Sequence, residues 1–226
     1  AASDVYKRQN MERKGLLIVL SGPSGVGKDT VLKGVMQMDS DLVRSVSVTT
    51  RAPRAGETDG VSYHFITQSK YDEMLAEGDF LEHETVHGNS YATPKSYVEK
   101  MRGEGRDVAL VIDVKGGLSV KRIMPEAVLI FILPDSMDGL YARLSGRQTD
   151  KADVIALRMR NAAGEIEKAL EYDYAVVNDK LDECRAEVLE IIRALRSDKR
   201  EERAKAEKYC VKNNIEYIKN LIGGGN

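Results

Sequence analysis

The chain has 226 residues, enough for one substantial α/β domain with a small inserted subdomain. Its 34 lysines and arginines nearly balance its 36 aspartates and glutamates, so the net charge of −2 gives no reason to expect a nucleic-acid polymer or a membrane surface as a partner. The apolar runs at 16–20 and 128–133 have the length of strands, far short of a membrane span.

The N-terminal sequence and the two cysteines indicate in which cellular compartment the protein is expected to reside. Residues 1–10 are expected to be non-native or disordered, because residues 4–9 resemble a translated sequencing adaptor, with Met11 as the expected native start. No secretory signal is visible. Cys184 and Cys210 lie in helical patterns and suggest neither a disulfide framework nor a metal site. These features predict a cytoplasmic protein.

Strand-like and helix-like segments alternate along most of the chain. Strands are predicted at 16–20, 42–48, 61–66, 80–86, 90–92, 108–112, 128–133 and 175–177, and helices at 28–38, 71–76, 94–102, 117–123, 137–145 and 152–170. Strands spaced by helices predict an α/β fold with a parallel sheet and helices on both faces. Residues 45–95 break this rhythm, so we interpret them as a small mixed α+β insertion.

The C-terminal part is charged and helical from 181 to about 217. Val188, Ile191, Ile192 and Leu195 fit one face of a helix that docks onto the sheet. Residues 199–226 are predicted to form a charged, solvated helical tail, and the domain proper to span 11–198.

A glycine-rich loop follows the first predicted strand and opens a helical pattern. Backbone N–H groups of such a loop point at polyphosphate oxygens, and Lys28 can reach the β- and γ-phosphates. The predicted ATP-binding residues of this loop are Gly22, Pro23, Ser24, Gly25, Val26, Gly27, Lys28, Asp29 and Thr30. Asp29 departs from the usual serine or threonine after the lysine.

A second group of residues lies in a loop rich in proline and glycine. Arg51 and Arg54 are three residues apart, and Tyr63 follows nine residues later. Paired guanidinium forks suit a phosphate dianion, and a tyrosine hydroxyl adds a donor. Taken alone, the loop is also compatible with ordinary solvated arginines.

Several separated motifs occur in order. They are Ser-Val-Thr-Thr-Arg-x-Pro-Arg-x-Gly-Glu, Asp-Gly-x-x-Tyr, Phe-Leu-Glu, Tyr-x-Thr-Pro, Ile-Asp-Val-Lys-Gly and Ser-Gly-Arg-Gln-Thr-Asp. Through them the chain resembles the guanylate kinases, a family of P-loop nucleoside monophosphate kinases, from about residue 15 to 195. The resemblance implies a P-loop NTPase-type sheet, a GMP-binding insertion at 45–95 and a helical lid at 136–165.

The resemblance also implies roles for individual residues. The GMP phosphate would be held by Arg51, Arg54, Tyr63 and Tyr91, with Ser47 beside it, and the guanine read by Glu82 and Thr93. Lid arginines over the transferring phosphoryl group would be Arg143, Arg147 and Arg158, and Asn178 would lie near the adenine. Arg122 and Arg160 are interpreted as helix-face charges.

The chemistry of guanine agrees with this assignment of Glu82. Guanine presents N1–H and N2–H₂ donors to a carboxylate and an O6 acceptor to a hydroxyl, whereas adenine would turn a lone pair toward Glu82. A site built on such hydrogen bonds rejects a mismatched base by about 10⁴-fold. The competing interpretation is a strand-end carboxylate facing solvent.

Two positions depart from the family pattern, and both concern Mg²⁺. Asp29 replaces the hydroxyl residue, although an acid in the first helical turn suits the helix dipole and can bind Mg²⁺ through water. Val111 stands where the family often has an acid, so Asp113 is left to make the nucleotide or Mg²⁺–water contact at that strand end. We expect Mg²⁺ to be held by ATP and water, with Asp29 and Asp113 as the carboxylates concerned.

The run from His83 to His87 spells the zinc-protease pattern His-Glu-x-x-His. That chemistry requires a helix with both histidines on one face. Here the run alternates and precedes Gly88 and Asn89, which predicts a strand and a turn. We therefore do not interpret it as a zinc site.

The expected reaction is ATP + GMP → ADP + GDP with Mg²⁺, catalysed by Lys28, Arg51, Arg143, Arg147 and Arg158. GMP and ATP are the expected partners; dGMP and the choice between monomer and homo-oligomer stay open. Two alternatives also stay open: a ribosyl bisphosphate kinase of the same fold, whose loop can carry Lys-Asp, and a non-catalytic guanylate-kinase-like binding domain. The latter typically lacks the loop lysine or the phosphate arginines, which are present here.

Overall fold

The computed structural model of this protein describes residues 13–54, 56–86, 88–146 and 152–223. The segment expected to be non-native, 1–10, lies outside them. Among the described residues the strands are β1 (Leu17–Ser21), β2 (Leu42–Arg44), β3 (Val48–Thr49), β4 (His64–Phe65), β5 (Phe80–Val86), β6 (Asn89–Pro94), β7 (Asp107–Val111), β8 (Val128–Pro134) and β9 (Tyr174–Asn178). The helices are α1 (Lys28–Met38), α2 (Gln68–Glu77), α3 (Lys95–Gly103), α4 (Val114–Ile123), α5 (Met137–Ser145), α6 (Ala152–Glu167), α7 (Leu181–Arg196), α8 (Arg200–Ala204) and α9 (Ile215–Gly223).

The central sheet has the strand order β2-β7-β1-β8-β9. The pairs β2–β7 and β8–β9 are parallel, with Leu42 opposite Asp107 and Ile130 opposite Tyr174. Every residue of β1 and β8 is buried, which explains why both strands are continuous apolar runs. A parallel sheet flanked by helices, with a second mixed sheet, is the predicted α/β fold of the P-loop NTPase type.

The second sheet has the order β4-β3-β6-β5 and lies within the predicted insertion. β3 runs parallel to β4 and antiparallel to β6, and β6 runs antiparallel to β5. Its core is a cluster of Val48, Tyr71 and Ala92, with Ile66, Met74 and Phe80 packed against it. The second sheet therefore has a small apolar core of its own.

The chain divides into two compact units. One comprises the residues up to Val19 together with Ser40–Val128, and the other comprises Leu20–Asp39 together with the residues from Leu129 onward. In the second unit, α7 packs against α1 and β9, and Val188, Ile191 and Ile192 are buried, as the helical pattern predicted. No helix among the described residues is both long and apolar enough to cross a membrane.

The predicted single strand at 42–48 is wrong. The backbone N–H of Ser45 still donates to Ala109 of β7 at 3.0 Å, but the carbonyl of Ser47 accepts from His64 of β4 at 2.8 Å. The chain therefore leaves the central sheet and enters the second sheet within three residues, and the predicted strand becomes β2 and β3.

The predicted solvated tail is also wrong for the described residues. Ala206, Tyr209, Val211 and Ile218 are all buried, and the segment includes two 3₁₀ turns before α9. These apolar residues are spaced irregularly among charged residues and do not share one face of a helix, so the sequence pattern did not predict that they are buried. The described part of this C-terminal segment therefore packs within the second unit instead of projecting into water.

Candidate active site

The phosphate loop connects β1 to α1 through glycines with positive φ. Gly22 has φ 148°, Gly25 has φ 88° and Gly27 has φ 98°. A Cβ on Gly22 would lie 2.3 Å from the carbonyl oxygen of Ile132, so no larger residue fits there. The loop therefore has the tight, glycine-dependent curvature that a phosphate-binding loop requires.

Lys28 is the first residue of α1, and its ammonium group is folded back onto the loop. Its Nζ donates to the carbonyl oxygens of Gly22 at 2.7 Å and Pro23 at 3.2 Å. Asp29 follows in the first turn of the helix, where a carboxylate suits the helix dipole. The loop thus holds its cation where polyphosphate oxygens would replace the carbonyls.

Asn178 lies at the end of β9 and contacts the same loop. Its Nδ2 donates to the Val26 carbonyl oxygen at 2.7 Å, and a Cβ on Gly27 would be 2.9 Å from that nitrogen. The sequence separation of this pair is 152 residues. The structure therefore brings Asn178, predicted from the resemblance, directly against the predicted ATP loop.

Two of the three arginines predicted to lie on a lid, Arg143 and Arg158, are among the described residues. Arg143 lies on α5, where its Nη2 donates to Asp135 Oδ1 at 3.0 Å and to the Asn178 carbonyl oxygen at 2.6 Å. Its Nη1 is buried and has no hydrogen-bond partner in the described part of the chain. Arg158 lies on α6 with intermediate exposure, and Arg147 lies outside the described residues.

In the first unit, Arg51 contacts two of the other residues predicted to bind phosphate. Its Nε donates to Tyr91 Oη at 3.2 Å, and its guanidinium carbon lies 5.5 Å from the centre of the Tyr63 ring. The rings of Tyr63 and Tyr91 are edge to face at 5.9 Å. Arg51, Tyr63 and Tyr91 therefore form one cluster, and their binding of the GMP phosphate together with Arg54 stays a prediction.

Glu57 orients Arg51 within this cluster. Nη2 of Arg51 donates to both carboxylate oxygens of Glu57, at 2.8 and 3.0 Å. This hydrogen-bonded ion pair lowers the pKa of Glu57 and raises that of Arg51. The backbone N–H of Arg54 donates to the same carboxylate at 2.7 Å, while the Arg54 residue is exposed. Ser47 is buried immediately before β3.

The predicted base-reading residues form a buried pair on β5 and β6. Thr93 Oγ1 donates to Glu82 Oε1 at 2.7 Å, and the residues are 1 % and 5 % exposed. Burial raises the pKa of Glu82 to about 7, with the nearby charges of Asp113 and Glu84 acting in the same direction. The interpretation of Glu82 as a solvated strand-end carboxylate is therefore wrong.

Gly116 closes one side of the Glu82 carboxyl group. It lies in the first turn of α4, where its N–H donates to Asp113 Oδ1 at 3.0 Å. A Cβ on Gly116 would lie 3.0 Å from Glu82 Oε2. Asp113 therefore caps the helix whose bare turn packs against the candidate guanine reader.

The zinc-protease pattern adopts the predicted strand. His83 and Glu84 lie on β5, opposite Ala92 and Tyr91 of β6, and His87 lies outside the described residues. A strand cannot supply the helical spacing of that motif. Within the described ranges, no group of three or more histidine, cysteine, aspartate or glutamate side chains is arranged to hold a metal ion.

Sequence reasoning missed three residues that position the site. Glu57 holds Arg51, Asp135 holds Arg143, and Gly116 packs against Glu82. Glu57 and Gly116 both lie within the family-like motifs, three residues after Arg54 and Asp113 respectively. Their place in these motifs could have predicted that they contact the site. Nothing in the sequence marked Asp135.

A glycine-rich loop with its lysine, on a parallel sheet, defines a P-loop nucleotide-binding protein, and the buried Glu82–Thr93 pair is a second candidate binding site. The family model described as guanylate kinase matches residues 14–195. The chain is 47 % identical over 173 residues to a guanylate kinase of Clostridium perfringens, covering 76 % of this chain and 80 % of the relative. It is 47 % identical over 184 residues to that of Lactococcus lactis, covering 81 % and 90 %.

A solved structure is also similar. The crystal structure of guanylate kinase from Anaplasma phagocytophilum superposes with a TM-score of 0.69 at 34 % identity, covering 81 % of this chain and 87 % of that chain. The chain belongs to the guanylate kinase family. It is accordingly an ATP-dependent nucleoside monophosphate kinase.

Proposed function

We propose that this protein transfers the γ-phosphoryl group of Mg²⁺-bound ATP to GMP, giving ADP and GDP. The observation that carries the proposal is the buried hydrogen bond between Thr93 and Glu82. A buried carboxylate beside a hydroxyl complements the N1–H and N2–H₂ donors and the O6 acceptor of guanine. The presence of Lys28 in the phosphate loop favours catalysis over binding alone.

The acceptor phosphate is assigned to the cluster around Arg51. Its guanidinium is held by Glu57, Tyr91 and the Tyr63 ring, so little side-chain entropy is lost when a phosphate binds. Arg54 supplies a second, exposed guanidinium. Ser47 and Asp113 complete the proposed GMP-binding set.

The reaction needs no general base, because a GMP phosphate oxygen is already anionic. That oxygen forms a bond to the γ-phosphorus of ATP while the bond from this phosphorus to the β–γ bridging oxygen breaks, and ADP leaves with the electron pair. Catalysis is then positioning and electrostatic stabilisation of the transferring group. Lys28 and the loop amides hold the donor, and Arg143, Arg147 and Arg158 neutralise the charge that develops.

The donor set fits Mg²⁺ held mainly by ATP and water. Asp29 in the first turn of α1 and Asp113 at the start of α4 are carboxylates, the hard oxygen ligands that Mg²⁺ prefers, often through water. When bound, Mg²⁺ neutralises phosphate charge on ATP. The chain's own contribution is to place Asp29 directly after Lys28 and to use Asp113 as the N-cap of α4.

ADP release measured with GMP, AMP and a ribosyl bisphosphate as acceptors separates the three candidate functions. Rapid release with GMP alone supports the proposal. Release with the ribosyl bisphosphate alone would identify the related kinase, and nucleotide binding without release would identify a binding domain. Lys28→Ala is expected to abolish release, whereas Lys33→Ala, an exposed lysine on the same helix, is expected to retain it.

The domain boundaries and setting are part of the proposal. We assign 11–198 to the kinase domain, 45–95 to the GMP-binding insertion and 136–165 to the lid. The assignment of the insertion is supported by the second sheet, whose strands lie between residues 48 and 94. A cytoplasmic location is supported by Cys184 and Cys210, both free thiols.

A further inference from the structure

The segment beyond residue 195 lies outside the family-model match, yet it is anchored at defined points. Tyr209 Oη donates to Glu190 Oε2 of α7 at 2.6 Å, and Ile218 of α9 is completely buried. Lys208 adds an ion pair with Glu190 at 3.0 Å. The segment is therefore a fixed part of the second unit.

Its second anchor lies at the start of the arginine-bearing helix. Tyr217 Oη, on α9, is placed to donate to the carbonyl oxygens of Pro134 at 3.3 Å and Asp135 at 3.2 Å. Pro134 ends β8, and Ser136 is the N-cap of α5, with its side chain accepting from the N–H of Gly139 at 2.9 Å. The tyrosine thus binds the backbone joint between β8 and α5.

Asp135 links Tyr217 to Arg143, because its backbone contacts the tyrosine and its side chain contacts the arginine. Its Oδ2 would be 2.6 Å from a Cβ on Gly139, so the carboxylate packs against a bare turn of α5. Its Oδ1 accepts from Arg143 Nη2 at 3.0 Å, and the same nitrogen donates to the Asn178 carbonyl oxygen. Displacement of the Asp135 backbone would therefore move one of the two acceptors that orient the guanidinium.

We infer that Tyr217 is a positioning residue for Arg143. It fixes the Pro134–Asp135 backbone, and Asp135 in turn orients the guanidinium through Nη2. The buried Nη1 of Arg143 has no hydrogen-bond partner among the described residues, so one donor of this guanidinium is left unused. The C-terminal segment thereby contributes to catalysis by positioning Arg143. This inference rests on the proposed function, since it assigns Arg143 to phosphoryl transfer.

The test compares two phenylalanine variants of the full chain. Tyr217→Phe removes the hydroxyl at the joint, and Tyr209→Phe removes the other tyrosine anchor of the same segment. We expect Tyr217→Phe to lower kcat about two- to tenfold, the effect of losing one hydrogen bond, with the KM for GMP unchanged. Tyr209→Phe is expected to retain the wild-type kcat, and thermal unfolding verifies that both variants are folded.

A double-mutant cycle distinguishes positioning from a general structural effect. In an Arg143→Ala background, Tyr217→Phe is expected to have no further effect on kcat. The inference is overturned if Tyr217→Phe keeps the wild-type kcat, if it causes the same fold-loss without Arg143, or if Tyr209→Phe is equally slow. Absence of GMP-dependent ADP release in the wild type would instead refute the proposed function.

Discussion

Thr93 Oγ1 donates a 2.7 Å hydrogen bond to Glu82 Oε1, and this contact joins β5 to β6 at the candidate guanine-binding site. The hydroxyl supplies one of the few polar contacts available to a carboxyl group that is 5 % exposed. One such contact does not replace the lost hydration, and the pKa of Glu82 rises to about 7. Guanine would supply the missing donors.

The affinity for GMP should fall as the pH drops below about 7. A protonated Glu82 cannot accept from both guanine donors, and below its pKa of about 7 the ionised fraction falls about tenfold per pH unit. Steady-state KM for GMP, measured from pH 5.5 to 8.5, tests this. The phosphate of GMP also titrates, with a pKa of about 6, so Glu82→Gln serves as the control. Parallel pH profiles for the two proteins would contradict the assignment.

Folding stability without nucleotide should decrease between about pH 4.5 and 7. The folded state keeps the Glu82 proton up to a pKa of about 7, whereas the unfolded chain releases it near 4.5. The folded state therefore binds more protons in that window, and the free energy of unfolding falls as the pH rises, by up to about 3 kcal/mol. Urea denaturation at pH 5 and pH 8 measures it. Glu82→Gln should lose this part of the pH dependence; an unchanged dependence would argue against a raised pKa.

Replacing Arg51 by lysine should weaken GMP binding about 10- to 100-fold, the effect of losing a hydrogen bond to a charged group. Lysine cannot donate to Glu57, Tyr91 and a phosphate through one planar group. The KM for GMP reports the loss. Arg122→Lys is the matched control, because Arg122 is an exposed arginine on α4. Equal KM values for both variants would remove Arg51 from the phosphate site.

Gly116→Ala should reduce both GMP affinity and the preference for guanine. The added Cβ would lie 3.0 Å from Glu82 Oε2, in a site where Thr93 already holds the carboxyl group. We expect a KM for GMP raised several-fold, about 1 kcal/mol of lost binding. Gly164→Ala is the control, because its Cβ would meet nothing within 4 Å on α6. A wild-type KM in Gly116→Ala would show that the carboxyl group tolerates the methyl.

Local signals predicted much of the fold from the sequence. The bounds of α1, α5 and β5 are those predicted, because each segment carries an uninterrupted periodic pattern with a clear start, such as the Ser136 N-cap of α5. The strand at 42–48 was wrong because periodicity shows that a segment is extended without showing which sheet it joins. Only the hydrogen bonds of Ser45 and Ser47 reveal the change of sheet.

In the candidate site, too, some features could be predicted from the sequence and others could not. Lys28, Arg51 and Glu82 lie in motifs that a sequence displays directly, so their involvement could be predicted. The contacts that orient them join distant residues, as in the Asn178–Val26 and Tyr217–Asp135 pairs, separated by 152 and 82 residues. Such pairs depend on tertiary packing, and no local pattern announces them. The buried C-terminal segment was missed for the same reason.

The ratio of kcat/KM for GMP to that for AMP, measured by ADP release with Mg²⁺ and ATP, is the decisive measurement of whether this protein selects GMP as its phosphoryl acceptor. A pocket that reads guanine through Glu82 and Thr93 predicts a ratio of about 10⁴ or more. Glu82→Gln should lower that ratio while Lys33→Ala leaves it unchanged. A wild-type ratio near one, or turnover with AMP and none with GMP, would contradict the account.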